Sequence, residues 1–197
     1  KITRWNQVNP AWPDAELVLF GAGTSSGTFE YFTGAVTGKA KNSRGDYTAS
    51  EEDNMLVTGI KGNKNALGYI PFAYYEPNKE SLKALAVDSG QPGSEPVLPS
   101  QETVEQGKYT PFARPLFLYV SVKAAERPEV QAFVRFYLRN GARLAQEESY
   151  VPLPSAAYAM ARERFKNGEA GTGFNGVPEF GLRVEEILSR PPKKVLE

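Results

Sequence analysis

The chain has 197 residues, 41% of them hydrophobic and 12% aromatic, enough to bury a sizeable core in one large domain or two small ones. Its 23 basic and 23 acidic side chains cancel, which argues against nucleic-acid and membrane-surface partners but leaves room for a small anion, which needs only a local positive potential. With neither cysteine nor histidine, the chain can form no disulfide and lacks the usual ligands of structural zinc.

No run approaches the roughly 20 apolar residues of a membrane span. The opening stretch, KITRWNQVNPAWPD, has no signal-peptide pattern, so either a signal was removed or the chain begins inside a longer one. ELVLFG predicts a short buried strand, running through the glycine- and hydroxyl-rich GAGTSSGT into a short helix that ends near Gly34 or Gly38. Ser50 and Asp53 resemble a capping box and predict a helix from about Glu51 to Ile60, closed by the glycines and asparagines of KGNKN. ALGYIPFAYY predicts a strand, with Pro71 marking an edge or bulge, and LKALAVD a further strand. RPLFLYVSV is the clearest buried-strand pattern in the chain. A helix follows with Pro128 near its start, then another with Ser155 as N-cap, then a glycine-rich loop, a short helical stretch and a charged end. The pattern is mixed α/β, with a candidate boundary near Thr110 to Ala113.

Strand, glycine-rich turn and helix in succession form a layout that sets a ligand at a helix N-terminus. There the first backbone N–H groups lack intrahelical partners and the dipole favours negative charge. Ser26 and Thr28 add hydroxyl donors, and Gly27 lets a ligand approach the backbone closely. A tetrahedral oxyanion fits such a cradle; an ordinary capped helix start has the same residues. GTSSG also matches the nucleophile elbow, with Ser25 as nucleophile, but a chain without histidine cannot build a Ser-His-Asp triad. Arg44 beside Asp46 offers a guanidinium fork suited to a phosphate dianion, with a carboxylate to hold it in place. SEEDN lacks the spacing of a calcium loop and is explained by helix capping. GTGFNG, Gly171 to Gly176, follows a helix rather than a strand, so it reads as a loop rather than a dinucleotide fingerprint.

Six blocks, in order, carry a wider resemblance: WNQVNPAWPD, LFGAGTSSGTFEYF, SRGDYTASEEDN, NALGYIPFAYY, ARPLFLYVSV and SYVPLPSAAY. Over nearly its whole length the chain resembles the phosphate-binding receptors of bacterial high-affinity ABC phosphate transporters. The resemblance implies a periplasmic-binding-protein-like (type II) α/β fold of two lobes that close over one phosphate. On that basis 1–112 is the second lobe with the anion turn, and 113–197 returns to complete the first.

The family's Ser-Gly-Thr anion turn matches Ser26, Gly27 and Thr28, and Thr24 lies in the same turn. Other branches carry an arginine four residues before that serine; here the position is Ala22, and Arg44, oriented by Asp46, is the replacement suggested by chemistry. The resemblance further implies a non-enzymatic receptor without metal or cofactor, at the periplasmic or extracellular face of the cell membrane. Such a receptor is expected to deliver phosphate to ABC permease subunits. Family members extend roughly another half-length before the first residue here. That part supplies most of the first lobe, including the carboxylate that accepts the phosphate proton and so rejects sulfate. A chain without it is expected to associate with the missing half or with itself through exposed apolar surface. Three other readings stay open: a receptor for sulfate or a phosphonate, a serine hydrolase using Ser25 without histidine, and a scaffold that binds nothing.

Overall fold

The computed structural model describes residues 1–174 and 179–193, which fall into two compact units, Lys1–Ala84 and Leu85–Glu197. In the first unit, β1 (Val18–Ala22) is the middle strand of a three-stranded parallel sheet, between β2 (Thr48–Ser50) and β3 (Ala66–Gly68). Phe20 faces Thr48 and Ala22 faces Ser50 on one side, while Val18 faces Ala66 and Phe20 faces Gly68 on the other. Parallel neighbours need crossover connections; α1 (Gly27–Thr37) joins β1 to β2, and α2 (Asp53–Lys61) joins β2 to β3.

The core of this unit gathers Ala22 of β1, Phe29 of α1, and Leu56 and Val57 of α2. Close approach of α2 to β1 requires Gly59, where a methyl group would run into the Phe20 ring. The one buried polar side chain among the described residues, Thr33, is fully used. Its hydroxyl donates to Phe29 O at 2.7 Å and accepts from Lys41 N at 2.7 Å, fastening the loop after α1 to the helix. Gly38 ends α1 with φ of 74° and an N–H bonded to Gly34 O, the left-handed cap that glycine adopts without strain.

Three local expectations are corrected here. The capping box does not form: Glu52 is the N-cap of α2, and Ser50 Oγ instead accepts from Glu52 N at 3.0 Å, a turn before the helix. The strand expected over ALGYIPFAYY stops at Gly68; Pro71, lacking an N–H and held at φ −62°, opens the short helix α3 (Phe72–Tyr75). LKALAVD is not a strand. Its Val87 makes a single antiparallel bridge to Val97, and the glycine- and proline-rich stretch between them cannot extend the ladder.

The second unit is helical among its described residues: α4 (Gln101–Glu105), α5 (Pro128–Glu147), α6 (Ser155–Lys166) and α7 (Val184–Ser189). Pro128 occupies the first turn of α5 as expected. Ser155 is the first helical residue of α6; its N-cap is Pro154, which has no side-chain cap to offer. Val134 and Gly141 form the buried stripe of α5, and Gly141 admits the Tyr158 ring of α6. Arg164 of α6 donates to Leu188 O at 2.7 Å and Arg190 O at 2.6 Å, satisfying the carbonyl end of α7.

RPLFLYVSV forms no strand and is largely exposed, which corrects the strongest strand expectation. Leu116, Tyr119 and Val122 are 63%, 85% and 65% exposed. A ladder needs a neighbour, and no named strand lies among the described residues of this unit. Phe133, Phe136 and Tyr137 on α5 are also exposed, giving that helix a second apolar stripe at helical spacing. The expected loop at Gly171–Gly176 lies partly outside the described residues, which include its beginning, where Thr172 bridges to Lys193. No described helix is long and apolar enough to cross a membrane.

Candidate anion-binding turn

β1 delivers its chain at Ala22 to the carboxyl edge of the sheet, the edge at which open α/β sheets hold ligands. Gly23 N donates to Ser50 O at 3.0 Å, continuing the pairing for one more residue, and Gly23 O accepts from Ser26 N at 3.0 Å to close the turn. Ser26 is extended at φ −79° and ψ 133° and serves as N-cap of α1, its Oγ accepting from Thr28 N at 3.1 Å. Gly27 and Thr28 open the helix, so Ser26, Gly27 and Thr28 sit together at its N-terminus, with Thr24 in the turn before them. Among the described residues, the Thr24, Ser25 and Thr28 hydroxyls and the Gly27 N–H have no hydrogen-bond partner. They are donors available to an anion at the positive end of an eleven-residue helix.

The turn is braced from beneath. Tyr47 and Tyr69 both donate their hydroxyls to Ala22 O, at 3.1 and 3.5 Å. Tyr69 stacks on Phe32 of α1 with ring centroids 3.9 Å apart, and its own ring covers Gly21 so closely that a methyl there would overlap it. Burial, then the neighbouring Tyr47, raises the Tyr69 phenol above its ordinary value, so it remains a donor at neutral pH.

Arg44 and Asp46 lie on the loop entering β2. Arg44 Nε and Nη2 each bond a different Asp46 carboxylate oxygen at 2.6 Å, and Lys1 Nζ lies 3.0 Å from Asp46 Oδ1. These bonds to Arg44 and then Lys1 hold the Asp46 carboxyl far below its usual range, and Arg44 is raised by the same pairing. Nη1 of Arg44 carries no bond among the described residues, and no described hydrogen bond or ion pair joins Arg44 to Ser26–Thr28.

One residue at the turn is not among those expected from the sequence. Glu51, the first residue past β2, turns back and accepts from Ser25 N at 3.1 Å, with its carboxylate against Gly23. The parallel register foreshadows this, since Ser50 pairs with Ala22 and the next residue must emerge beside Gly23. Ser25 meets the Glu51 carboxylate through its backbone N–H, not through its hydroxyl, which has no hydrogen-bond partner among the described residues. Among the described residues no cluster of acidic side chains is arranged to hold a metal.

Comparisons with known proteins bear on the family to which the chain belongs. A model of the PBP superfamily domain matches residues 1–140. Protein SphX of Synechocystis sp. is 46% identical over 190 residues, covering 96% of this chain and 56% of its own length. The phosphate-binding protein PstS of Staphylococcus saprophyticus is 31% identical, over 83% of this chain and 50% of its own length. The crystal structure of a possible phosphate binding protein from Planctomyces limnophilus superposes with a TM-score of 0.72 at 42% identity, over 86% of this chain and 60% of that one. PstS from Borrelia burgdorferi, at 19% identity and a TM-score of 0.50, supports the fold alone. This chain therefore spans about half the length of the relatives it matches, and those named for what they do are binding proteins rather than enzymes. With its parallel sheet, its helix-opening turn and these relatives, the chain belongs to the PBP superfamily.

Proposed function

We propose that this chain is part of a non-enzymatic receptor that captures inorganic phosphate and delivers it to the membrane subunits of an ABC importer at the periplasmic or extracellular face. The carrying observation is the placement of Ser26, Gly27 and Thr28 at the N-terminus of α1, at the carboxyl edge of a parallel sheet, with donors left over. Relatives named as phosphate-binding proteins support phosphate as the ligand.

In this reading the Gly27 amide and the Thr24 and Thr28 hydroxyls replace the water around the anion, and Ser26 holds the turn in register. Arg44 supplies a cation through Nη1, its fork held in place by Asp46. The loop that carries it passes close to the turn, since Tyr47 reaches Ala22 O. Residues 1–112 form the second lobe and 113–197 complete the first, an assignment that rests on the family resemblance. The exposed apolar side chains of 116–122 and of α5 are the surface on which the rest of a longer receptor packs, or a second copy of the chain.

Calorimetric titration of the 197-residue chain with phosphate, against sulfate at matched ionic strength, tests the reading. Phosphate-selective binding that weakens in Thr28→Ala supports it. Equal or tighter binding of sulfate or a phosphonate would reassign the ligand. Absence of phosphate binding, both alone and after adding the amino-terminal portion of a full-length relative, would defeat it.

A further inference from the structure

Glu51 sets a negative charge directly against a turn whose other groups are neutral donors. Its carboxylate accepts the Ser25 N–H at 3.1 Å and fills the space over Gly23, where a methyl group would overlap it. Both Glu51 and Ser25 are exposed, so the contact lies at the mouth of the turn rather than inside the fold. Glu52 and Asp53 follow at once. Burial raises the Asp53 carboxyl, and the charges of Glu52 and then Glu51 raise it further.

Two roles are compatible with such a contact. A brace would stabilise the turn, and its loss would weaken anion binding. A competitor would occupy a donor and oppose the incoming anion, and its loss would strengthen binding. The observations favour the second. The turn already has its braces in Tyr47, Tyr69, the Gly23–Ser26 bond and the Ser26 cap. A hydrogen bond at an exposed site adds little rigidity, because water competes for both partners, whereas a carboxylate repels an oxyanion through the same space.

We propose that Glu51 is an internal competitor of the anion turn, a carboxylate that holds the Ser25 amide when the turn is empty and lowers its affinity for phosphate. The inference rests on the phosphate reading of the turn. In that reading Glu51 keeps the empty turn from collecting weakly held anions, and the ligand must offer enough donor contacts elsewhere to outweigh it.

The test is calorimetric titration with inorganic phosphate of the 197-residue chain, of Glu51→Gln and of Glu51→Ala, each checked for native circular dichroism. Glu51→Gln keeps an oxygen for Ser25 N–H but removes the charge; Glu51→Ala removes both. Roughly five- to tenfold tighter phosphate binding is expected in both variants at low salt, the gain shrinking as ionic strength rises. Binding by a variant where the parent shows none would support the inference and the phosphate reading together. Unchanged or weaker binding in both variants, with the parent binding phosphate, would overturn the competitor role and leave the phosphate reading standing. Tighter binding in Glu51→Gln beside weaker binding in Glu51→Ala would also overturn it, since Ser25 would then need its acceptor. Absence of phosphate binding in all three chains, both alone and after adding the amino-terminal portion of a full-length relative, would overturn both.

Discussion

Replacing Gly59 by alanine sets two well-measured effects against each other. Gly59 lies inside α2, and in an isolated helix alanine would be favoured by about 0.8–1.0 kcal/mol. The new methyl, however, would stand 2.8 Å from Phe20 Cδ1 and 2.9 Å from Phe20 Cζ, inside contact distance, with another ring atom closer still. Overpacking of this kind typically costs about 1–3 kcal/mol. Phe20 has little room to yield, because its backbone is paired with Thr48 on one side and Gly68 on the other. The difference leaves a net loss near 1 kcal/mol, a fall in Tm of about 2–4 °C for a chain of this size. Phe20→Leu, made in the Gly59→Ala background, removes the obstructing ring atoms and should recover part of the loss. Urea and thermal unfolding of the two single variants and the double variant would measure the coupling. If Gly59→Ala is as stable as the parent or more so, the packing of α2 on β1 is looser than described and the reasoning fails.

Other expectations follow from the same contacts. Thr28→Ala and Arg44→Ala should each weaken phosphate binding by roughly ten- to a hundredfold, the equivalent of about 1.5–3 kcal/mol for one partner of a charge-assisted bond, as read by calorimetry; parent-like affinity in Arg44→Ala would remove that residue from the site. Thr33→Val keeps the shape but leaves the Lys41 N–H without its acceptor, and should cost about 1–3 kcal/mol by urea unfolding. Asp46 has its folded pKa depressed by Arg44 and Lys1, so its contribution to stability is complete above the ordinary aspartate value of about 3.9 and is lost as pH falls towards the depressed folded value. Asp46→Asn should therefore flatten the acid side of the stability profile below about pH 4; an unchanged profile would show that the pair contributes nothing in solution.

Much of the turn is legible in the sequence. ELVLFG followed by GAGTSSGT can hardly be other than a strand entering a helix, and Ser26, Gly27 and Thr28 open α1 as expected. The Arg44–Asp46 pair, two residues apart, was equally local. Glu51 was not, because its partner lies 26 residues away and the contact exists only through the β1–β2 register. In the sequence Glu51 reads as one more acidic residue at a helix start. RPLFLYVSV failed for the opposite reason: an apolar run records that a segment is fit to pair, and says nothing about whether a neighbour is present. At ALGYIPFAYY the apolar pattern runs on past Pro71, but that residue's fixed φ and missing N–H suit a helix start as well as a strand edge.

The two tyrosine hydroxyls on Ala22 O make the turn a property of the whole sheet. Tyr47 comes from the approach to β2 and Tyr69 from the exit of β3, so both flanking strands are tied to one carbonyl at the tip of the middle one. Transplanting the eight residues of GAGTSSGT onto another strand and helix would carry the donors and leave behind what aims them. A portable version of this turn would have to add both tyrosines and the ring of Phe32, a motif dispersed over some fifty positions that no contiguous graft can capture.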